Sequence, residues 1–531
     1  MSEQNIGMPR FGGEGLPISG GTEAPRAEAA VLGARRASLA SRVLEIVKLI
    51  FSFPVMLGAF LVGATFYDGR SFGVDPDIWW HVKTGQMILA TWHWPTVDAY
   101  SFTVHGQPWI AYEWLGEAVM GIAARIGGLR GLDALLIALG GAVMIALYAF
   151  GTIRSGSSKA GFAAAAVLAS LATPSFTMRP QMLGYLFLVL TLIALELFRQ
   201  GKKWAIWVLP PLLLVWVNTH GSFIIGLGVI LVYLVCGLKE FRVGGIEAKK
   251  WTPKQRVRLE LVFLLCLAVL PITPYGTRLA VYPFDMAFAQ PINVANILEW
   301  QPMPFNAQGG KIFLALVLGF FAAQMALRLK FRLEELTLLL GGVAMTCVHL
   351  RFVLLFVPFF TPLLATIVAR WLPRYDARKD KYILNVVLIA GVIAAMVHYF
   401  PSRASLEEKV AEKYPVRAVE YMQQHPVAGP MFNDYTFGDY LIWTGQKVFI
   451  DGRGDLYEHG GVLSDYLQVV RLKPAALAVL RNYGIQSCLI ERGAPLETLL
   501  KVSAEWRESY SDSTSALFVR RQDANEGTHQ E

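Results

Sequence analysis

Two carboxylates, two tryptophans and a histidine fall within DPDIWWHVKTG, Asp75–Gly85, just beyond the first long apolar segment of the chain. Ionisable side chains beside a hydrophobic span are costly to keep and point to function. Asp followed by Pro is a helix start, which makes Asp75 a cap and Pro76 the first helical residue. From that start Asp77, His81, Thr84 and Gly85 share one face, whereas Trp79 and Trp80 turn elsewhere, toward the interfacial layer. Asp77 is then the acid placed to accept a proton, with His81 one turn on. Asp75 and Asp77 are also spaced to hold Mg²⁺ or Mn²⁺, although a bare D-x-D is a short signal. Glu113, in QPWIAYEWLGE, supplies a second acid, and Asp98, in PTVDAYSFT, reads as a turn residue.

Other segments carry Arg179 in TMRPQ, His220 in VNTHGSF, Glu299 in NILEWQP and Arg351 just after His349. One basic residue at a span end is accounted for by snorkelling. Taken together, acids in one loop and Arg and His in several others suit a site that needs both a base and cations for phosphate. The chemistry is transfer of a sugar from a polyprenyl-phosphate donor to a glycan, lipid or protein acceptor. A carboxylate takes the proton of the incoming hydroxyl while Arg179, His220 and Arg351 neutralise the phosphate leaving group. Glu299, Gln181 and Trp80 are assigned to positioning.

These residues need a membrane frame. The 531 residues are 54% hydrophobic and 17% charged, against roughly 25% charged in a soluble domain. The net charge of +8 comes from short Lys/Arg clusters between apolar segments, the positive-inside pattern, and no basic face with interleaved aromatics suggests nucleic acid. Cys236, Cys266, Cys347 and Cys488 show no disulfide or zinc spacing. Residues 1–42 read as a disordered cytoplasmic tail. Eleven spans are expected, at 43–67, 132–152, 160–174, 182–198, 204–218, 222–238, 259–273, 311–328, 334–349, 352–370 and 382–400, with 113–126 lying along the interface. That count puts the basic clusters on the cytoplasmic side of the cytoplasmic (inner) membrane and the first loop, 68–131, on the outer side.

From 401 onward the pattern becomes polar and alternating, which predicts a small extracytoplasmic α/β domain over 401–531. Helices are expected at 415–424, near 463–471 and near 475–483. Strands are expected in GPMF, KVFID, QSCLI and SALFV. Acids in FNDYTFGDYLIW and FIDGRGDLY read mainly as turn residues, with Asp451 and Arg453 as an acceptor-side lip over the membrane site.

The order of features resembles the GT-C class of integral-membrane glycosyltransferases, which includes protein mannosyltransferases and lipid A aminoarabinose transferases. One span, a long outer loop bearing an acid, an interfacial helix introduced by a second acid, and a many-span bundle with an outer C-terminal domain all correspond. Asp77 is similar to the first-loop catalytic acid of that class and Glu113 to the acid opening the second juxtamembrane helix. The local pattern D-x-W-W-H-x-x-x-G, with RPQ, HGSF, PYG and EWQP, also resembles a broad group of bacterial membrane proteins. The resemblance implies an inverting transferase and a polytopic α-helical GT-C-like fold of about 11 transmembrane helices. Gln181 stands where many members have an acid. The alternatives are a transporter or flippase for a lipid-linked or anionic substrate, or a non-catalytic assembly factor; the first would show charges at mid-bilayer and pseudo-repeated halves.

Overall fold

Without water to bind backbone N–H and C=O groups, an apolar run must satisfy them internally, so it becomes a helix. The computed structural model describes residues 41–69, 75–427 and 429–521; the expected tail lies outside them except for its last two residues. Every expected span is helical, from Ser41–Gly69 to Tyr382–His398. Five helices are long and apolar enough to cross a membrane: Ser41–Gly69, Trp114–Ser155, Gln181–Arg199, Gln308–Leu327 and Leu350–Val368. A sixth results if Tyr382–His398 and Arg403–Lys413, bent by 60°, form one span. Length and composition therefore support five or six crossings among the described residues, short of the expected eleven. Several remaining helices, such as Ala205–Val217 and Phe223–Cys236, are apolar but short.

The helix Trp114–Ser155 holds both the interfacial segment and the second expected span. It breaks at Gly128, whose φ of 57° lies in the left-handed region that glycine enters without a Cβ clash. The segment before that break packs against the first-loop helix Ile78–Thr91 at very short range. A Cβ on Gly85 would stand 1.9 Å from the Glu117 carbonyl oxygen, so only glycine permits this crossing. Gly121 completes the contact, its own Cβ position lying 2.9 Å from the carbonyl carbon of Gly85. The final glycine of the D-x-W-W-H-x-x-x-G pattern is thus what brings His81 beside the acids of the second helix.

At the opposite ends of the spans, buried ion pairs tie helices together: Arg154 with Glu335, Arg332 with Glu196, and Arg199 with Glu334 at 2.8 Å. On the site's side, the long loop after residue 273 folds into Thr277–Phe288, Pro291–Asn296 and the 3-10 turn Leu298–Trp300. Those helices were not expected, because Pro283 and Pro291 break the apolar periodicity.

The C-terminal region contains a four-stranded sheet in the order Met431–Asn433, Ser487–Glu491, Ser515–Arg520, Trp506–Ser511. The first pair is parallel and the others antiparallel. Three of the four expected strands are present, but KVFID is not one of them. Its buried backbone is satisfied elsewhere: the Asn433 side chain accepts from Phe449 N at 2.7 Å and donates to Ile450 O at 2.8 Å. Val448 exchanges bonds with the first loop, accepting from Phe102 N at 3.1 Å and donating to Tyr100 O at 3.3 Å. The C-terminal region and that loop share one core, in which Trp80, Val104 and Trp109 pack with Phe432, Phe449 and Tyr457. The tryptophans do not sit in the interfacial layer. Both are buried, Trp79 edge-on to Tyr414 and Tyr440.

Gly85→Ala is expected to destabilise the fold by about 1–3 kcal/mol, the usual range for overpacking. Thermal unfolding in nanodiscs checks this, with Gly391→Ala, where a Cβ meets nothing within 4 Å, as the neutral control.

Candidate active site

The first-loop helix begins at Ile78 and not at Pro76, and the Asp75 carboxylate accepts the Asp77 N–H at 3.1 Å. Asp75 therefore closes the turn that presents Asp77, close to its expected role as cap. It also binds Arg179, whose Nε donates to Asp75 Oδ2. The same guanidinium reaches Asp77 Oδ2 at 3.0 Å and Glu299 Oε1 at 3.4 Å through Nη1. Burial pushes the Asp77 carboxyl up to about 7; Arg179 opposes this, and Asp75, Glu299 and Asp451 add to it. Arg179 itself is held charged well above its ordinary range by those carboxylates.

This geometry separates roles that the sequence reading had joined. Arg179 is engaged with three carboxylates rather than open to a phosphate. It also stands where a divalent cation would sit, so Asp75 and Asp77 do not fit Mg²⁺ or Mn²⁺ between them. Among the described residues no three His, Cys, Asp or Glu side chains are grouped to hold a metal.

Glu113 caps the start of Trp114–Ser155 and is flanked by both histidines. His220 Nε2 lies 3.2 Å from Glu113 Oε1, and His81 Nε2 lies 3.5 Å from Oε2. His81 Nδ1 meets Glu117 Oε1 at 3.1 Å, and the Trp80 ring covers His81 at 3.7 Å between centroids. The Ser222 N–H donates to His220 Nδ1 at 3.0 Å, which leaves Nε2 as the protonated nitrogen facing Glu113. Burial, with Arg351 and Arg179 nearby, pulls His220 down to about 3, and burial pulls His81 well below its ordinary range. Both rings are therefore neutral at pH 7. His220, expected as a phosphate-binding cation, is instead a neutral hydrogen-bond donor. Burial, with the charges of Asp77 and Asp455, pushes Glu113 up to about 8 against the pull of Arg179 and Arg351.

These groups line a chamber of about 180 Å³ bounded by Asp77, His81, Glu113, Arg179, Glu299 and Arg351. Glu113, Gln181, His220, Trp300 and Arg351 also line an adjoining cavity of about 390 Å³, whose other walls include Leu188, Ile224, Ile225, Met345 and Leu355. Gln181 is buried, its amide bonded to Thr177 Oγ1 at 3.2 Å. Arg351 lies 4.3 Å over the Trp300 ring and makes no ion pair among the described residues. A cation without a carboxylate partner thus stands where the polar chamber meets the apolar one.

Asp451 and Arg453 are not an acceptor lip. Arg453 is 1% exposed and binds Asp451 through Nε at 2.8 Å and Nη2 at 2.7 Å, and Asp98 Oδ1 through Nη1 at 2.7 Å. Its guanidinium also packs 4.6 Å from the Trp109 ring. The pair locks the C-terminal region to the first loop, and Gly452 and Gly454 line the chamber in its place. Glu117, Asp439, Asp455 and Tyr282 were not expected here. Glu117 had a signal, one turn beyond Glu113. Asp455, one of the acids of FIDGRGDLY expected as turn residues, is held by the Tyr282 hydroxyl at 3.0 Å, a contact from a helix that was not expected.

No family model matches the chain, and no curated protein matches it in sequence. Solved structures do match its fold. The oligosaccharyltransferase AglB from Archaeoglobus fulgidus, in complex with an inhibitory peptide and a dolichol-phosphate, aligns with a TM-score of 0.50 at 12% identity, over 88% of this chain and 74% of that one. ArnT from Cupriavidus metallidurans, bound to undecaprenyl phosphate, aligns over 88% of this chain and 98% of that one, with 14% identity and a TM-score of 0.48. At these identities the likeness is one of architecture. The chain has the GT-C-like fold that its sequence pattern implied, and it is a membrane protein.

Arg453→Ala leaves two buried carboxylates without their cation and is expected to cost about 3–5 kcal/mol of stability. Chemical unfolding measures that loss. A specific change in acceptor affinity with unchanged stability would restore the lip assignment.

Proposed function

We propose that the protein is a glycosyltransferase that moves a sugar from a polyprenyl-phosphate donor to a glycan, lipid or protein acceptor at the outer face of the cytoplasmic membrane. The carrying observation is the junction of the two cavities. A carboxylate with a pKa near neutral lies in a polar chamber that opens, past an arginine with no ion pair among the described residues, into an apolar space suited to a prenyl chain. That the fold occurs in a protein solved with dolichol-phosphate supports the reading.

In this reading the isoprenoid lies along Leu188, Ile224 and Leu355, and its phosphate meets Arg351. The acceptor hydroxyl attacks the anomeric carbon, its proton passes to Asp77, and the bond from that carbon to the phosphate oxygen breaks. Polyprenyl phosphate leaves with the electron pair. Arg351 compensates the charge that develops on the phosphate, and a protonated Glu113, held by His220, donates a hydrogen bond to it. Asp77 suits the task because a base with a pKa near the working pH is ionised enough to accept a proton and basic enough to hold it. Arg179 keeps Asp77 oriented, and Glu299 completes the balance of charge. Attack opposite the leaving group makes the reaction inverting, as the GT-C resemblance implies.

Asp77→Asn is expected to lower kcat by about 10²–10⁴-fold, the usual contribution of a positioned base, in transfer assays with a purified polyprenyl-phosphate sugar. A stably inserted variant with full transfer would remove Asp77 from the reaction. In the wild type, kcat/KM rises with pH through about 7 as Asp77 loses its proton. Arg351→Ala is expected to raise the donor KM by about tenfold or more, the loss of one charge-assisted contact, without lowering the unfolding temperature. Lipid-linked sugar that crosses the bilayer without being transferred would instead support a flippase.

A further inference from the structure

Gly452 is wedged between two carboxyl groups from different parts of the chain. A Cβ placed on it would lie 2.5 Å from Asp77 Oδ1 and 2.8 Å from Asp439 Oδ2, so both oxygens border the same small space. Asp439 comes from the helix Tyr435–Trp443 of the outer region and is fully buried. Its Oδ1 accepts the Gly452 N–H at 2.7 Å, whereas its Oδ2 has no hydrogen-bond partner among the described residues. A buried carboxylate oxygen facing another carboxylate is unfavourable unless one proton lies between them.

The surrounding charges leave that proton as the remaining compensation. Arg179 is held by Asp75, Asp77 and Glu299, and Arg453 by Asp98 and Asp451. Tyr414 and Tyr435, which feel both carboxyls, have phenols pushed above their ordinary range by burial and stay neutral. Lys413 acts on Asp75, and His81 and His220 are neutral. Burial and the proximity of Asp77 both hold the Asp439 carboxyl well above its ordinary range.

We propose that Asp439 is a positioning residue that carries a proton shared with Asp77, so that the outer region sets the ionisation of the membrane-side base. With Asp439 protonated, its O–H points at Asp77 Oδ1, fixes that carboxylate against Gly452 and leaves Oδ2 on Arg179. Loss of the shared proton at high pH places two negative charges across Gly452 and displaces the base. The inference rests on Asp77 being the base, but the proton itself is tested separately.

The test uses the full chain in nanodiscs with carbonyl-labelled aspartate. Infrared titration of the aspartic-acid C=O band is expected to show one fewer protonated aspartate at neutral pH in Asp439→Asn than in wild type. In Asp77→Asn the Asp439 band is expected to disappear at lower pH, because the introduced amide donates to Asp439 and favours its ionised form. In transfer assays Asp439→Asn, which keeps an N–H donor, is expected to stay within about threefold of wild type and to lack the fall at high pH. Asp439→Ala is expected to lose about tenfold or more in kcat, the effect of one hydrogen bond to a charged group. An aspartic-acid band unchanged by Asp439→Asn overturns the proposal, as does an Asp439→Asn variant as inactive as Asp77→Asn or a divalent-metal requirement lost in both. If Asp77→Asn transfers normally while the Asp439 band behaves as described, the base assignment falls and the shared proton stands.

Discussion

Everything at the site depends on one half-buried guanidinium. Arg179 joins Asp75 and Asp77 of the first loop to Glu299 of the loop after residue 273. A charge withdrawn from water is tolerated only where partners replace its hydration, and a two-pronged guanidinium–carboxylate contact does so with fixed geometry. The same contact determines what Asp77 can do. Burial lifts its carboxyl and Arg179 restrains the lift, which leaves it near 7, where a base is useful. Arg179 is also what excludes a cation from the Asp75–Asp77 pair.

Around that centre, two structural devices bring distant segments within hydrogen-bond range. The Gly85 crossing lets two helices approach so closely that His81 reaches Glu113 and Glu117. The Asp98–Arg453–Asp451 cluster fastens the C-terminal region onto the first loop. The C-terminal segment is therefore part of the chamber's wall, to which it contributes Tyr435, Gly452, Gly454 and Asp455.

Much of this was legible in the chain. Apolar runs mark helices because the bilayer leaves the backbone no other solution, and acids beside such runs mark the site because nothing else explains their retention. Asp77, Glu113, Arg179, His220, Glu299 and Arg351 do converge on one chamber. Their electrical roles were not legible. Whether Arg179 faces phosphate or carboxylate, and whether His220 is charged, follows from the folded surroundings, as in the contact across 104 residues between Asp75 and Arg179. Arg453 shows the limit well: an Arg among Gly and Asp reads as a turn or a ligand contact, and only the fold reveals the buried pocket formed by Asp98 and Trp109. The strand expected in KVFID failed for a related reason, since Asn433 and the Tyr100–Thr103 segment supply the bonds that a sheet neighbour would have made.

The central claim is that Arg351 marks the seat of a lipid-linked phosphate at the junction of the two cavities. Its most direct test is a cryo-electron microscopy structure of the full chain in nanodiscs with a polyprenyl phosphate added. Phosphate density against Arg351 and His220, with the prenyl chain running past Leu188 and Leu355, is the expected result. Density for the phosphate at another surface, with the chamber between Asp77 and Arg351 unchanged, would contradict it.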